Sequence, residues 1–242
     1  MTRLLPDPSS TTLEDHMASY KIVKLPATEQ DSSRRSFQGG SPVMPSDIES
    51  PRCRFCDAAL TFFFQVEFPK NTAWAGRTLC MFACTSCQDG TFLLPGRPPG
   101  YTVEQVVIPD GYIEEHEINF RTMVFENTQV AVLRSDIVAR FDHQPFEFQR
   151  LTPTNKSYVT KIGGRPYGQY EPEVPLSYMG SAMTFSMQLE DDWVFKVREG
   201  MPLFPKLGSV PDQEGVLFLG VQTYFSGTID LQPPKVWVLT YR

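Results

Sequence analysis

The chain has 242 residues, 41% hydrophobic and 21% charged, with 18 Phe, 9 Tyr, 21 Pro and a net charge of −6. That length suits one large all-β domain or two small ones and buries a core without staples. The acidic balance argues against a general nucleic-acid binder, which needs a positive surface for phosphates, and the aromatic and proline content favours strands and irregular connections over long helices.

Residues 1–36, rich in Ser, Thr, Pro and charge, read as a weakly packed arm. Within it Leu13–Tyr20 is expected as a short helix, Tyr20–Leu25 as a strand, and Ala27–Gly40 has turn and linker composition. The start lacks an apolar stretch of signal-peptide length, and no run approaches the roughly 20 apolar residues of a membrane span. The expected location is a reducing cytoplasm, with no membrane partner.

Residues 37–95 form a first unit. Leu60–Phe68 is apolar almost throughout and reads as a strand buried on both faces. Thr78–Cys84 is a second strand, Asp89-Gly90 a turn and Thr91–Leu94 a third strand. The segment 96–158 connects, with strands expected at Val103–Ile108, Asn119–Phe125 and Gln129–Leu133, and a short helix capped by Ser135-Asp136 and running through Phe141. Residues 159–242 form a second, cysteine-free unit with strands at Met183–Leu189, Trp193–Val197, Val216–Tyr224 and Lys235–Tyr241. Asp191-Asp192, Pro202–Pro211 and Gly227 punctuate them.

The two units repeat each other. Ala59–Glu67 (ALTFFFQVE) recurs as Ala182–Glu190 (AMTFSMQLE). Gly39-Gly40-Ser41-Pro42 precedes the first copy and Gly163-Gly164-Arg165-Pro166 the second. Gly76–Phe82 is loosely echoed by Gly215–Leu219. Ordered matches at a near-constant offset indicate an internal duplication, and two copies imply one pseudo-symmetric β-rich globule rather than a solenoid. Gln65 and Gln188 fall at the same place in two apolar strands. The reading is a buried amide that satisfies backbone groups near each Gly-Gly turn, with ligand binding as the alternative. The Gly-Gly pairs supply backbone closed to other residues; a phosphate nest is a lesser alternative.

Only the first unit carries cysteines. Cys53-x2-Cys56 and Cys84-x2-Cys87 have the spacing of a four-thiolate, zinc-ribbon-like knuckle pair. Each knuckle aims two sulfurs at one point, and four thiolates leave no open coordination position, so the site is structural. Zinc is expected, with iron as the alternative. Cys80 is either a fifth candidate ligand or a small buried hydrophobe, and the second reading fits its strand. Aligned on the glutamines, Leu176 and Met179 stand opposite Cys53 and Cys56, which suggests hydrophobic packing in place of metal.

These residues resemble two related groups. One is the YwqG-like family of unknown function, with Gly-Gly-x-Pro and a later strand ending in Gln. The other is the programmed cell death protein 2-like family, with Gly-Gly-x-Pro, Cys-x2-Cys, Leu-x-Phe-x-x-Gln-Val and Arg-x-Leu-x-x-Phe-x-Cys. Here those elements are Gly39–Pro42, Cys53–Cys56, Leu60–Val66 and Arg77–Cys84. The resemblance implies a β-rich, non-enzymatic protein-binding scaffold, either an immunity protein that neutralises a bacterial toxin or a dedicated chaperone for a ribosomal protein. Its partner is then a protein, and the acidic net charge permits a basic one.

No Gly-x-Ser-x-Gly, Walker or His-Glu-x-x-His signature is present. An unrecognised enzyme would draw on His116 within Glu114-Glu115-His116-Glu117, whose plainer reading is a solvated acidic loop. Trp74, Trp193, Glu114, Glu115, Asp191 and Asp192 are the candidate partner contacts, large aromatics and acidic turns being common at interfaces.

Overall fold

The computed structural model describes residues 18–87, 94–98, 107–152, 158–168, 174–203 and 213–241. The Asp89-Gly90 turn, the Thr91–Leu93 part of a strand, Val103–Val106 and the helix start at Leu13 lie outside these residues, as does most of Pro202–Pro211.

Among the described residues the chain is almost entirely β. The first stretch holds β1 (Ser19–Lys24), β2 (Phe37–Gln38), β3 (Val43–Pro45), β4 (Thr61–Glu67) and β5 (Arg77–Ala83). Then come β6 (Val107–Ile108), the one-turn helix α1 (Tyr112–His116), β7 (Phe120–Glu126), β8 (Ala131–Leu133) and β9 (Gln144–Leu151). The last stretch holds β10 (Lys161–Gly163), β11 (Ser177–Tyr178), β12 (Ser181–Leu189), β13 (Val194–Lys196), β14 (Glu214–Val216), β15 (Gln222–Thr228) and β16 (Lys235–Tyr241). No helix here is long and apolar enough to cross a membrane.

The main sheet runs β16-β15-β12-β10-β1-β9-β2-β4-β5-β7, with β11 hydrogen-bonded to β12 and β6 parallel to β11. Its order reads alike from either end. β4 lies between β2 and β5, and β12 between β10 and β15. Both carry a bulge, after Phe62 and after Phe185, ahead of the buried glutamine. Such a bulge re-aims the strand by inserting one unpaired residue.

The middle of the sheet is crossed over. β1 pairs with β10, far along the chain, and β9 pairs with β2. Tyr20 opposes Ile162, and Gln144 opposes Gln38; Tyr20 and Gln144 are separated by the same interval as Gly39 and Gly163. β1 and β9 then pair antiparallel with Val23 opposite Glu147, again one interval apart. A local two-fold axis therefore passes through the Val23–Glu147 pair.

The arm expected to pack weakly thus supplies the strand at the sheet's centre. Ile22 is buried in the main core. Composition misled because β1 is mostly half-buried, with Ile22 its one fully buried residue, and needs its long-range neighbours to be covered. Ser19 and Tyr20, placed in a helix by sequence, belong to this strand. Ser135–Phe141 is not helical either. It forms turns, with Phe141 bridged to Val197. The stretch 216–224 divides into the end of β14, a 3-10 turn at Leu217–Gly220 with left-handed Phe218 and Leu219, and the start of β15. The strand opposite Gln188 is therefore β15, where Tyr224 stands as Cys80 stands opposite Gln65. The expected echo at Gly215–Leu219 is displaced by that turn. The connecting segment is likewise shared out, with β7 pairing β5, β9 pairing β2 and β6 pairing β11.

The sheet curls until its ends, β7 and β16, come into contact. Its inner face holds the main core, where Phe63 meets Phe195 edge-on at 4.9 Å and Phe64 meets Phe225 at 5.9 Å. These contacts join the two halves into one hydrophobic interior. A second cluster around Phe37, Phe62 and Phe82 lies under the cysteine loops. A third, built on Tyr178, Trp237 and Leu239, lies at the other end.

Candidate metal centre

Cys53 and Cys56 sit in the loop between β3 and β4, and Cys84 and Cys87 follow β5 directly. An isolated bridge between Arg52 and Ala59 narrows the first loop, and Asp57 turns it with a φ of 58°. The amide of Cys53 donates to Ala58 O and that of Asp57 to Cys53 O, each at 2.8 Å. The second loop is fixed where Cys84 N–H donates to Asn119 O at 2.7 Å.

These anchors bring all four sulfurs within 4.8 Å of one another. Cys84 to Cys87 and Cys56 to Cys87 are 3.4 Å apart, and Cys53 to Cys87 and Cys56 to Cys84 are 3.6 Å apart. A tetrahedron with metal–sulfur bonds of about 2.3 Å needs sulfur–sulfur edges of about 3.8 Å. The four cysteines therefore form a cluster capable of holding a soft metal, with a donor set that is complete by itself.

Backbone amides point at the sulfurs. Ser86 and Cys87 N–H donate to Cys84 Sγ at 3.4 and 3.3 Å. An amide bond from Ala58 lowers the Cys56 pKa, whereas burial raises those of Cys84 and Cys87. Thiols raised in this way gain most from a cation that holds them as thiolates. Cys80 stands apart, fully buried on β5 with its S–H directed at Gln65 Oε1. Burial pushes its pKa far up, and it packs as a hydrophobe.

The other end of the molecule closes differently. Leu60 N–H donates to Pro51 O, and Met183 N–H donates to Leu176 O. This pairing aligns Ser177 with Arg52 and Tyr178 with Cys53. The six residues from Cys53 to Ala58 are matched by the four from Tyr178 to Ser181, which turn at left-handed Met179 and Gly180. Leu176 and Met179 are 67% and 52% exposed, so they do not fill the cysteine position. Tyr178 does. Its ring is buried in the third cluster. Its hydroxyl accepts from Gly111 N at 3.0 Å and donates to Glu114 Oε2 at 2.5 Å. Simple alignment on the glutamines missed this because the loops differ in length.

The repeated motif residues are brought together in both halves. Gly39, Gly40, Gly163 and Gly164 all have φ between 63° and 67°. Gln65 Oε1 accepts from Val43 N at 2.9 Å, one residue beyond Pro42. Gln188 Oε1 accepts from Tyr167 N at 2.8 Å, one residue beyond Pro166. Each amide thus ties a Gly-Gly-x-Pro turn to its strand. Gln188 Nε2 also donates to Val159 O and Tyr167 O, while Gln65 Nε2 has no partner among the described residues.

The candidate contact residues separate. Trp74 and Trp193 are 1% and 7% exposed and belong to the core, which corrects their placement as partner contacts. Trp74 packs on Phe68; Trp193 donates to Gln38 Oε1 at 2.7 Å and lies under the Lys24 ammonium. The loops carrying them fold inward over the sheet, which sequence position did not reveal.

Glu114 to Glu117 is not a solvated loop but α1 and its cap. Glu114 pairs with Lys235 at 2.7 Å. Burial opposes its ionisation, but the bonds from Lys235 and Tyr178 outweigh burial and lower its pKa. Glu115 is exposed. His116 Nε2 accepts from Gly96 N at 2.9 Å, and burial lowers its pKa. Sequence reasoning passed over Glu117. It is buried, accepts from Thr122 N and Oγ1, pairs with Arg121 at 2.9 Å, and has its pKa raised by burial. Nothing in a run of acids distinguishes that one. Asp191 accepts from the Tyr158 hydroxyl, and Asp192 has a φ of 54°; both are exposed. No protein-family profile and no curated protein matches this chain.

Proposed function

We propose that this chain is a metal-stapled protein-binding module built by internal duplication with exchange of first strands. The observation that carries the duplication is the shared geometry of the two Gly-Gly-x-Pro turns and their glutamines, together with the local two-fold axis at Val23–Glu147. Those same motifs carry the resemblance to YwqG-like and programmed cell death protein 2-like proteins, and that resemblance supports a binding role. The metal is zinc, held by Cys53, Cys56, Cys84 and Cys87 as a zinc-ribbon-like knuckle pair. Zinc fits four thiolates with tetrahedral spacing better than any hard cation.

The partner is a protein, and the leading reading is a bacterial toxin that this chain neutralises. A net charge of −6 speeds encounter with a basic toxin by steering, so the association rate falls as salt is added. The convergence of both Cys-x2-Cys pairs favours a second reading, a dedicated chaperone for a ribosomal protein, because the resemblance on that side includes the cysteines.

A tagged pull-down from native cells, read by mass spectrometry, tests both. A stoichiometric toxin-like protein supports the immunity reading, and a ribosomal protein the chaperone. Capture of neither overturns the binding-module reading and returns attention to chemistry at α1.

A further inference from the structure

The two halves differ beside the sheet's centre. Ser36 Oγ accepts from Glu67 N at 3.0 Å, and Thr160 Oγ1 accepts from Glu190 N at 3.1 Å. The chain that follows each glutamate diverges. After Glu190 come Asp191, Asp192 and Trp193, and Trp193 turns in against Phe146. The space around Leu189, Glu190 and Trp193 is filled. After Glu67 come Phe68, Pro69 and Lys70, and a groove of about 330 Å³ remains open.

The groove has an aromatic and cationic lining. Phe68, Phe146 and Phe148 line it together with Arg34, Arg35 and Lys70. Glu67 is its single acidic lining residue. Among the described residues none of the three cations is held by a carboxylate ion pair. Three lining cations against one lining acid, with Asp31 beside Arg34, leave the groove net positive among the described residues in a chain of net charge −6.

We propose that this groove docks a short acidic segment of a protein partner. An aromatic or aliphatic side chain of that segment enters between Phe68, Phe146 and Phe148, and its flanking carboxylates pair with Arg34, Arg35 and Lys70. The volume lies at the lower end of the range of about 300–1,000 Å³ for ligand sites, room for one side chain rather than a cofactor. Guanidinium forks match carboxylates bidentately. A polyanion is a poor fit, because three cations on an acidic chain neutralise too few phosphates. This assignment rests on the binding-module reading.

Labelled peptides carrying one Phe among Glu residues, and the same peptides with Gln for Glu, are titrated into the full-length, metal-loaded protein by fluorescence anisotropy. The expected result is binding of the Glu peptide about tenfold tighter than the Gln peptide, a difference of about 1.4 kcal/mol, that weakens with salt. Arg35→Glu and Lys70→Glu should each abolish that preference while leaving thermal unfolding unchanged. Lys70 is exposed, so it carries the test should Arg35→Glu unfold. Equal affinity for the two peptides, absence of binding, or indifference to Lys70→Glu overturns the proposal. A native-cell partner captured equally by Lys70→Glu protein overturns the groove but leaves the binding module standing.

Discussion

The two ends of this molecule close the same kind of strand pair with different chemistry. Beside β4, a six-residue loop gathers thiols around a point where a metal fits. Beside β12, four residues suffice, and Tyr178 stands at the place of Cys53 with a ring and a hydroxyl bonded to Gly111 and Glu114. A longer loop has more backbone to order, and that entropy is offset by a strong local cross-link. A tight turn with left-handed Met179 and Gly180 orders less chain, so one buried aromatic holds it. On the proposed reading, coordination at one end stands where packing stands at the other.

The largest effect should come from breaking the metal end. Apparent zinc-binding energies reach about 10–16 kcal/mol in small finger peptides. Chelation or Cys84→Ser needs to forfeit only about 4 kcal/mol to lower the melting midpoint of a domain this size by roughly 8–16 °C. One metal per chain by elemental analysis, and none in Cys84→Ser, should accompany the loss. A Cys84→Ser protein that stays metal-bound or melts like the wild type would remove the staple.

Next come the glycines, which test whether the halves are equivalent. A Cβ at Gly39 would lie 2.1 Å from Asp142 O, and one at Gly163 would lie 2.3 Å from Ala18 O. Left-handed backbone alone costs a side chain about 1–3 kcal/mol, and the carbonyl clash adds to it. Gly39→Ala and Gly163→Ala should therefore destabilise to a similar degree in denaturant titrations. A neutral result at one position would break the equivalence.

The glutamines sharpen the contrast. Gln65→Leu leaves Val43 N–H and the weak Cys80 S–H donor without their acceptor, and Gln188→Leu leaves Tyr167 N–H and Val159 O unpaired, while Tyr167 O keeps its bond from Gln222 Nε2. A buried group left unsatisfied costs about 1–3 kcal/mol. Gln188→Leu should cost more than Gln65→Leu, because Gln65 Nε2 contributes no bond to lose. The reverse order would show that the amide hydrogen bonds do not set the energetics of these turns.

The smallest effect concerns acid. Burial holds His116 below its ordinary pKa of 6.5, so the folded state prefers the neutral ring. Its contribution is present above the unfolded pKa and is lost as pH falls through 6.5 towards the folded value. Melting midpoints taken between pH 7.5 and pH 5.5, in the metal-loaded protein, should fall less for His116→Gln than for wild type. Parallel slopes would dismiss the histidine as a source of acid sensitivity.

Local pattern settled much of this protein before any contact was known. The apolar run through Leu60–Phe68 marked β4 because a strand covered on both faces shows no alternation. Cysteine spacing marked all four members of the thiol cluster because two cysteines three apart share one local turn. Gly-Gly-x-Pro with a glutamine in each half marked the repeated turn because left-handed backbone selects glycine. Tertiary structure alone decided the rest. Nothing within Ser19–Lys24 encodes a partner at Lys161–Gly163, and nothing near Trp74 or Trp193 says that their loops fold inward. Tyr178 replaces a cysteine only once loop lengths are fixed by cross-strand hydrogen bonds. The basic groove exists only where Arg34, Arg35 and Lys70 meet across a sheet that joins distant segments. Spacing along the chain reports chemistry within a turn, whereas burial and strand exchange depend on what the rest of the chain brings alongside.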